Sequence, residues 1–287
     1  MAILSTFQDK QIDIKRGIIS MGRDGSQPNG LEGEGPTSRS HSTGALYVVS
    51  MPIGHPDDIT LRALAILRHA SVVASEDPRV TQALLVHHNI TATVTSYGPT
   101  NRDEKIRLLL HRLAQGQSVA LVSDNGTPVI YDPGSLFVAA AHQAGIPVVV
   151  IPGPSAMTAA AVISGFSGDR MLFDGHLPST SHRLAQYISG LRKVRRTLVL
   201  YVDPKSLTRL LKILAQILPI RQIAIAMDLT TIKETLARGK PGELLHRIGP
   251  VPKDSAVTVV IEGYRAGSHT KTMSRRVPRV TRPCGGE

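Results

Sequence analysis

The chain has 287 residues, of which 41% are hydrophobic, and this is enough to build one large folded domain or two medium-sized ones. Its 33 Lys and Arg residues exceed its 22 Asp and Glu residues, which leaves a formal net charge of +11. Such an excess suits a polyanionic partner such as RNA, although a basic C-terminal segment supplies part of it.

The single cysteine, Cys284, excludes an internal disulfide and a cysteine-cluster metal site, and it favours a reducing compartment. No apolar run reaches the roughly 18 residues that a membrane span needs, and the N-terminus has no apolar signal core. We therefore expect a cytoplasmic protein that does not enter a membrane. No metal is expected, because four histidines lack metal-ligand spacing and are assigned to the surface or to loops: His55, His87, His88 and His142.

Strands and helices alternate regularly in the first half of the chain. Short segments rich in apolar or β-branched residues predict strands at residues 46–49, 71–75, 93–96, 118–122 and 147–151. Amphipathic segments predict helices at residues 59–69, 80–87, 103–114, 136–143 and 157–163, with Asp58 as the N-cap of the first. This alternation favours a parallel sheet that is covered by helices on both faces.

The turn-rich segment Gly165–Asp169 separates a second set of elements, so we predict two α/β domains, at residues 45–165 and 166–263. Strands of the second domain are predicted at 171–173, 197–201, 222–227 and 256–261, and helices at 183–191, 205–218 and 242–248. Residues 1–44 are predicted to be a disordered extension rich in Gly, Ser and Pro, and residues 264–287 a disordered basic tail.

Three loops that contain glycine and proline follow strands of the first domain, at Met51–Gly54, Ser123–Gly134 and Ile151–Ala156. The carboxyl ends of parallel strands share one sheet edge, so we expect these loops to cluster although about 100 residues separate them. Asp124 could accept hydrogen bonds from a ligand, or it could satisfy neighbouring backbone N–H groups. The alternative to a ligand site is a set of ordinary strand-to-helix turns.

The same loops carry a resemblance to a known family. The motifs are Leu46–Gly54 with Asp58–Leu64, Glu76–Thr81, Ser123–Pro128 with Asp132–Gly134, and Ile151–Ala156. Together they resemble the small-subunit ribosomal RNA cytidine 2'-O-methyltransferases of the tetrapyrrole methylase superfamily. The resemblance runs from about Ala45 to Gly263.

The resemblance implies two α/β domains of the tetrapyrrole methylase, or class III methyltransferase, type with an interdomain cleft, and usually a homodimer. It also implies S-adenosylmethionine as methyl donor, and no glycine-rich Rossmann signature is present. Transfer to a ribose 2'-hydroxyl would depend chiefly on alignment of the reacting centres and would need no metal. The residues implied for donor binding are Pro52, Ile53, Gly54, Ser123, Asp124, Gly126, Thr127, Pro128, Pro152, Gly153, Pro154, Ser155 and Ala156.

A proton acceptor for the hydroxyl is expected among residues near these loops. Glu76 and Asp77 end a predicted strand on the ligand edge and are the candidate catalytic residues, with Asp58, Asp124 and His55 as further candidates. Arg79 is either a phosphate ligand or a salt-bridge partner for the two acids. The remaining residues predicted to bind RNA form a basic turn in the second domain: Arg192, Lys193, Arg195 and Arg196.

Departures from the family pattern leave two other functions open. In the first domain they fall at His55-Pro56, Pro78, Asn125 and Tyr131, and further departures follow in the second domain. One alternative is a methylase of tetrapyrroles or other small molecules, in which the net positive charge would have no role. The other is a non-catalytic RNA-binding relative. The partner expected for the methyltransferase is ribosomal RNA or the small ribosomal subunit. Few aromatic residues argue against a base-stacking platform, so RNA contact should be electrostatic and sensitive to salt.

Overall fold

The computed structural model describes residues 44–265. The extension predicted at 1–44 and the tail predicted at 264–287 lie outside the described residues, apart from Gly44, Tyr264 and Arg265. The described chain divides into two units, which consist of residues 44–159 with 228–234, and of residues 160–227 with 235–265. The short segment Asp228–Glu234 thus belongs to the first unit although second-unit residues flank it in sequence.

In the described part of the first unit, five strands form a sheet in the order β3-β2-β4-β1-β5. The strands are β1 (Leu46–Val49), β2 (Val72–Ser75), β3 (Val94–Ser96), β4 (Val119–Val122) and β5 (Val148–Ile151). Every pairing is parallel, as the alternation of elements predicts, and β1 lies between β4 and β5. Most strand residues are Val, Leu, Ile or Ala, the composition of strands that are buried on both faces.

Helices cover both faces of this sheet. They are α1 (Leu61–His69), α2 (Pro78–His87), α3 (Arg102–Ala114) and α4 (Ser135–Gln143). The next helix, α5 (Ala156–Ser164), begins in the first unit and continues into the second. On one face, Leu67 of α1 and Leu85 of α2 pack in a core with the strand residues Val73 and Val122. On the other face, α3 and α4 contribute to a second core, in which Phe137 is fully buried. The expected doubly covered sheet is therefore confirmed.

The second unit contains a mixed sheet in the order β6-β7-β10-β8-β9. Its elements are β6 (Met171–Asp174), α6 (Ser181–Gly190), β7 (Thr197–Val202), α7 (Pro204–Ile217), β8 (Ile223–Met227), β9 (Thr235–Gly239), α8 (Pro241–Arg247) and β10 (Val257–Ile261). The β6–β7 pair is parallel, whereas β7–β10, β10–β8 and β8–β9 are antiparallel. Leucines along one side of α7 pack into the core of this unit.

Two details differ from the predictions. Thr60, rather than Asp58, is the N-cap of α1, because its hydroxyl accepts the Ala63 N–H at 3.1 Å, while the Asp58 N–H donates to the His55 carbonyl oxygen in the preceding turn. Strand β9 was not predicted, because it is largely exposed and lies at the sheet edge, where little apolar alternation is needed. No helix between residues 44 and 265 has the length and apolar character needed to cross a membrane.

Candidate active site

Hydrogen bonds join the three loops that follow β1, β4 and β5. The Met51 N–H donates to the Gly126 oxygen at 2.7 Å, and the Gly126 N–H donates back to the Met51 oxygen at 3.2 Å. The Thr127 hydroxyl donates to the Pro154 oxygen at 3.1 Å, so it accepts from the Ser50 hydroxyl 3.0 Å away. The loops expected to share one sheet edge thus form one bonded unit. We call it the loop cluster; it comprises residues 50–58, 123–134 and 152–156.

Close packing fixes the backbone of the first loop. A Cβ atom at Gly54 would lie 2.3 Å from the Leu229 carbonyl oxygen and 2.6 Å from the Thr230 hydroxyl oxygen. The next residue, His55, donates its backbone N–H to the same Thr230 hydroxyl at 2.9 Å. In the second loop, Gly126 has φ of +76°, a conformation that residues with a side chain rarely adopt. Residues 228–234 therefore support the loop cluster from a distant part of the sequence.

Residues with side chains also adopt positive φ in and beside the loop cluster. Val129 and Tyr131 of the second loop have φ of 76° and 61°, and Thr230 has φ of 64°. For β-branched residues such as Val129 and Thr230 this conformation is a clear outlier, and such strain costs on the order of 1–3 kcal/mol at each residue. Strained backbone is concentrated at ligand-binding sites, so these outliers favour a functional role for the loop over an ordinary turn.

An open pocket of about 240 Å³ lies between the loop cluster and helix α2. The wall from α2 includes Thr81, Leu84 and His87. The wall from the loop cluster consists of Met51, Pro52, Gly54, Pro56, Asp124 and Asn125. Of the residues predicted to bind a methyl donor, the structure therefore places Pro52, Gly54 and Asp124 at this pocket.

The other residues predicted for donor binding build the loop cluster or its rim. The buried Ser123 hydroxyl donates to the Gly126 oxygen at 2.9 Å and closes the second loop. Gly153 packs so closely that an added Cβ would lie 2.9 Å from the Cβ of Ser50. Pro128 is buried and Pro152 exposed, Ile53, Pro154 and Ser155 are half-buried, and α5 begins at Ala156.

Two carboxyl groups of the loop cluster, Asp124 and Asp132, act on Glu76 at the end of β2. Asp124 accepts the backbone N–H of Asp77 at 2.9 Å and so ties the second loop to the end of β2. Burial, and then the charges of Asp132 and Asp124, raise the pKa of Glu76, although Glu76 is exposed as a residue. The pKa of Asp132 is also raised, chiefly by burial. A raised pKa makes a carboxylate a better proton acceptor, and of the two predicted catalytic acids Glu76 has the raised and Asp77 the lowered pKa. Glu76 is not among the residues that line the pocket.

The other candidate acid, Asp77, is engaged in structure. It caps the N-terminus of α2 by accepting the Arg79 backbone N–H at 2.9 Å, and it pairs with the Arg79 guanidinium, also at 2.9 Å. The side-chain hydrogen bond with Arg79 is the largest of the effects that lower the pKa of Asp77. Arg79 is therefore the salt-bridge partner of Asp77, and its side chain, 91% exposed, can still meet a phosphate.

The predicted RNA-binding turn lies in the second unit, between α6 and β7. All four of its basic residues are exposed: Arg192, Lys193, Arg195 and Arg196. The buried Arg221 holds this turn in place, because its guanidinium donates to the Arg192 oxygen and to the Glu262 oxygen, both at 2.7 Å. The sequence alone identified the exposed charges but not the buried arginine beneath them.

Sequence reasoning missed several residues of the site. Thr81, Leu84 and His87 of α2 line the pocket, but a helix face of this kind has no sequence signal that separates it from an ordinary core face. Ser50 directly follows β1, and its position at the carboxyl end of a strand was a signal that could have identified it as a site residue. Thr230 has no local signal, because it lies near Gly54 only through tertiary packing.

Comparison with known proteins identifies the family. The family model for tetrapyrrole (corrin/porphyrin) methylases matches residues 45–245. A ribosomal RNA small subunit methyltransferase I from Thermotoga maritima is 36% identical over 220 residues, covering 77% of this chain and 99% of the relative. The Escherichia coli O157:H7 protein of that name is 37% identical over 235 residues, covering 80% of this chain and 81% of the relative.

Solved structures agree on the fold. A uroporphyrin-III C-methyltransferase from Thermus thermophilus, solved with S-adenosyl homocysteine, has a TM-score of 0.55 and 21% identity, covering 76% of this chain and 97% of that chain. A cobalt precorrin-4 methyltransferase has a TM-score of 0.57 and 19% identity, covering 76% of this chain and 94% of that chain. The chain therefore belongs to the tetrapyrrole methylase family, in the branch formed by the ribosomal RNA small subunit methyltransferase I proteins.

Proposed function

We propose that the protein transfers a methyl group from S-adenosylmethionine to the ribose 2'-hydroxyl of a cytidine in small-subunit ribosomal RNA. The observation that carries this proposal is the 36% identity to a ribosomal RNA small subunit methyltransferase I over 99% of that relative's length. The choice of ribose and of cytidine rests on the motif resemblance. The loop cluster, the acids near it and the exposed basic turn support the proposal.

The loop cluster is the proposed donor site. It combines tightly packed backbone at Gly54 with the half-buried carboxylate of Asp124 at the pocket, a suitable acceptor for an ammonium or ribose hydroxyl of the donor. The thirteen residues predicted from the resemblance stay the proposed donor-binding set. The donor supplies a methyl group on a positively charged sulfur, and the protein contributes by alignment, through loops that close packing and hydrogen bonds hold rigid.

Glu76 is the proposed acceptor of the proton from the ribose hydroxyl. Its raised pKa makes it more basic than an ordinary glutamate, and it directly follows β2, beside Asp77. Asp77 caps α2 and pairs with Arg79, so it is proposed to position Arg79 and the start of α2 rather than to remove the proton. Arg79 can then contact a phosphate of the RNA.

RNA binding is proposed to be mainly electrostatic. The four exposed cations of the basic turn and the net charge of +11 support it. Removal of one cation that binds a phosphate should reduce the dependence of log affinity on log salt by about 0.7–0.9, depending on the form of the RNA. The double variant Arg195→Ala/Arg196→Ala should thus bind small-subunit RNA more weakly and with a shallower salt dependence than the unaltered protein. An unchanged slope would show that this turn is not part of the RNA-binding surface.

Transfer of labelled methyl groups to small ribosomal subunits tests the function. Subunits would come from cells that lack the corresponding gene, and the labelled RNA would be digested to nucleosides. We expect label in 2'-O-methylcytidine, and we expect Asp124→Asn to lose it while Asp103→Asn, a change at an exposed helix residue, keeps it. Label in a methylated base would contradict the ribose assignment.

The same preparation separates the two alternative functions. Methylation of a tetrapyrrole such as uroporphyrinogen III, without methylation of RNA, would support a small-molecule methylase. Binding of donor and of RNA without any transfer would support a non-catalytic relative. The +11 charge and the exposed basic turn favour the RNA enzyme over the small-molecule one, because a small tetrapyrrole gives these cations no role.

We further propose that the protein works as a homodimer in the cytoplasm. The homodimer follows from the family resemblance, and the cytoplasm is the compartment in which small ribosomal subunits are found in bacteria such as those of the relatives. Light scattering during size-exclusion chromatography tests the oligomer directly. A mass that corresponds to a single chain at micromolar concentration would contradict the dimer.

A further inference from the structure

A cluster of potential metal ligands lies next to the pocket. Within residues 44–265, Asp57, His87 and His88 each offer one ligand atom, and these atoms all lie within 4.8 Å of one another. Asp57 belongs to the loop after β1, whereas His87 is the last residue of α2 and His88 is its C-cap. Asp57 lies 30 residues before the adjacent pair His87 and His88, so the sequence does not group the three, and only the fold brings the loop to the helix end.

The contacts within the cluster have the dimensions of a site that a small cation could enter. The Nε2 atom of His87 lies 2.8 Å from Oδ1 of Asp57. The Nε2 atom of His88 lies 3.0 Å from the Pro56 carbonyl oxygen, so an ion bound through that atom would replace this hydrogen bond. Tetrahedral zinc with bonds of about 2.0–2.2 Å separates its ligand atoms by about 3.3 Å. The Asp57–His87 pair therefore needs to open by only about 0.5 Å, within the range of side-chain rotation.

The local charge also favours a cation. The carboxylate of Asp57 supplies a negative charge 2.8 Å from Nε2 of His87. The carboxyl-terminal end of α2 contributes the negative end of the helix dipole. Arg68 opposes these effects, because its guanidinium lies 3.5 Å from the His88 oxygen, so we expect moderate affinity.

We propose that Asp57, His87 and His88 bind a divalent d-block cation, with zinc as the best match to two imidazoles and one carboxylate. Three protein ligands leave a fourth position for water. The bound ion would fasten the loop after β1 to the end of α2. Because His87 and the neighbouring Pro56 both line the pocket, the ion would hold one corner of that pocket in a fixed position.

The alternative is that the three side chains form only an ion pair and hydrogen bonds. An ion pair between exposed groups contributes little to stability, about 0–1 kcal/mol, and it would respond to no metal. Metal binding can be measured without donor or RNA, so its outcome is independent of the proposed methyl transfer.

Equilibrium dialysis of the full chain against zinc, with metal analysis, tests the proposal. We expect the unaltered chain to bind one equivalent of zinc. Both Asp57→Asn and His88→Gln should lose this zinc or bind it at least about tenfold more weakly. The matched control is His142→Gln, a change at an exposed histidine in the last turn of α4, which should bind zinc as the unaltered chain does. Cobalt substitution should add visible absorption bands of tetrahedral cobalt that disappear in the same two variants.

Two readouts keep the test independent of folding. Asp57 is exposed, so Asp57→Asn should fold normally, and circular dichroism without metal would verify this for both variants. Zinc should slow amide hydrogen exchange in residues 55–58 of the unaltered chain and leave it unchanged in Asp57→Asn. Equal zinc binding by the unaltered chain, Asp57→Asn and His88→Gln, or no zinc binding by any of them, would overturn the proposal.

Discussion

Replacement of Gly54 by alanine should disrupt the support of the loop cluster. The added Cβ would lie 2.3 Å from the Leu229 oxygen, whereas an ordinary contact begins near 3.4 Å, so the two backbones must separate by about 1 Å. Overpacking of this kind costs about 1–3 kcal/mol, and loss of the His55–Thr230 hydrogen bond adds about 0.5–1.5 kcal/mol. A total of about 2–4 kcal/mol should lower Tm by roughly 5–15 °C.

Thermal unfolding and calorimetry with S-adenosylmethionine measure the two consequences of this change. Gly98→Ala is the matched control, because its added methyl group meets no atom within 4 Å. We expect Gly54→Ala to unfold at lower temperature and to bind the donor more weakly, while Gly98→Ala matches the unaltered protein in both respects. A Tm for Gly54→Ala within about 1 °C of that for Gly98→Ala would refute the packing argument, and unchanged donor affinity would separate Gly54 from the donor site.

Three further changes test other parts of the site. Val129→Gly should raise the unfolding free energy by about 1 kcal/mol, because glycine adopts φ of 76° without strain; a lower Tm would contradict the strain argument. Thr127→Val should lower the free energy of unfolding in denaturant by about 1–3 kcal/mol, because the Ser50 hydroxyl and the Pro154 oxygen lose their hydrogen-bond partner. An unchanged free energy of unfolding would show that water replaces the Thr127 hydroxyl. Glu76→Gln should abolish methyl transfer without lowering Tm at pH 7. Folding raises the pKa of Glu76, so at pH 7 the ionised carboxylate lowers the stability of the folded state. This unfavourable contribution disappears at low pH, where Glu76 is protonated in both the folded and the unfolded state. A Tm deficit in Glu76→Gln at pH 7 that Glu104→Gln does not share would contradict this sign.

The first unit could be predicted from the sequence because its signals are local. Short segments rich in apolar or β-branched residues mark the parallel strands, and Gly/Pro loops follow β1, β4 and β5 at the edge where open α/β sheets generally bind ligands. The joining of these loops through Met51 and Gly126 follows from the strand order, which places β1 beside β4. For this reason the proximity of the loops was predicted, while their individual hydrogen bonds were not.

The rest of the structure depends on contacts that no local pattern encodes. Thr230 supports the loop at Gly54 and His55, although it lies 175 residues after His55 in the sequence. No pattern near either segment indicates that the two segments are in contact. Strand β9 has only a weak apolar pattern, because one neighbour, β8, is enough to hold it at the sheet edge. The N-cap of α1 is Thr60 instead of the predicted Asp58, because Asp58 is used in the preceding turn. In each case the deciding contact is one that the sequence pattern does not show.

The central claim is that three loops distant in sequence together hold the methyl donor. Amide hydrogen exchange, measured by mass spectrometry with and without S-adenosylmethionine, tests it most directly. The account predicts slower exchange on donor binding in peptides from all three segments of the loop cluster, residues 50–58, 123–134 and 152–156, and no change at the basic turn 192–196. Donor binding that leaves exchange in these three segments unchanged would contradict it.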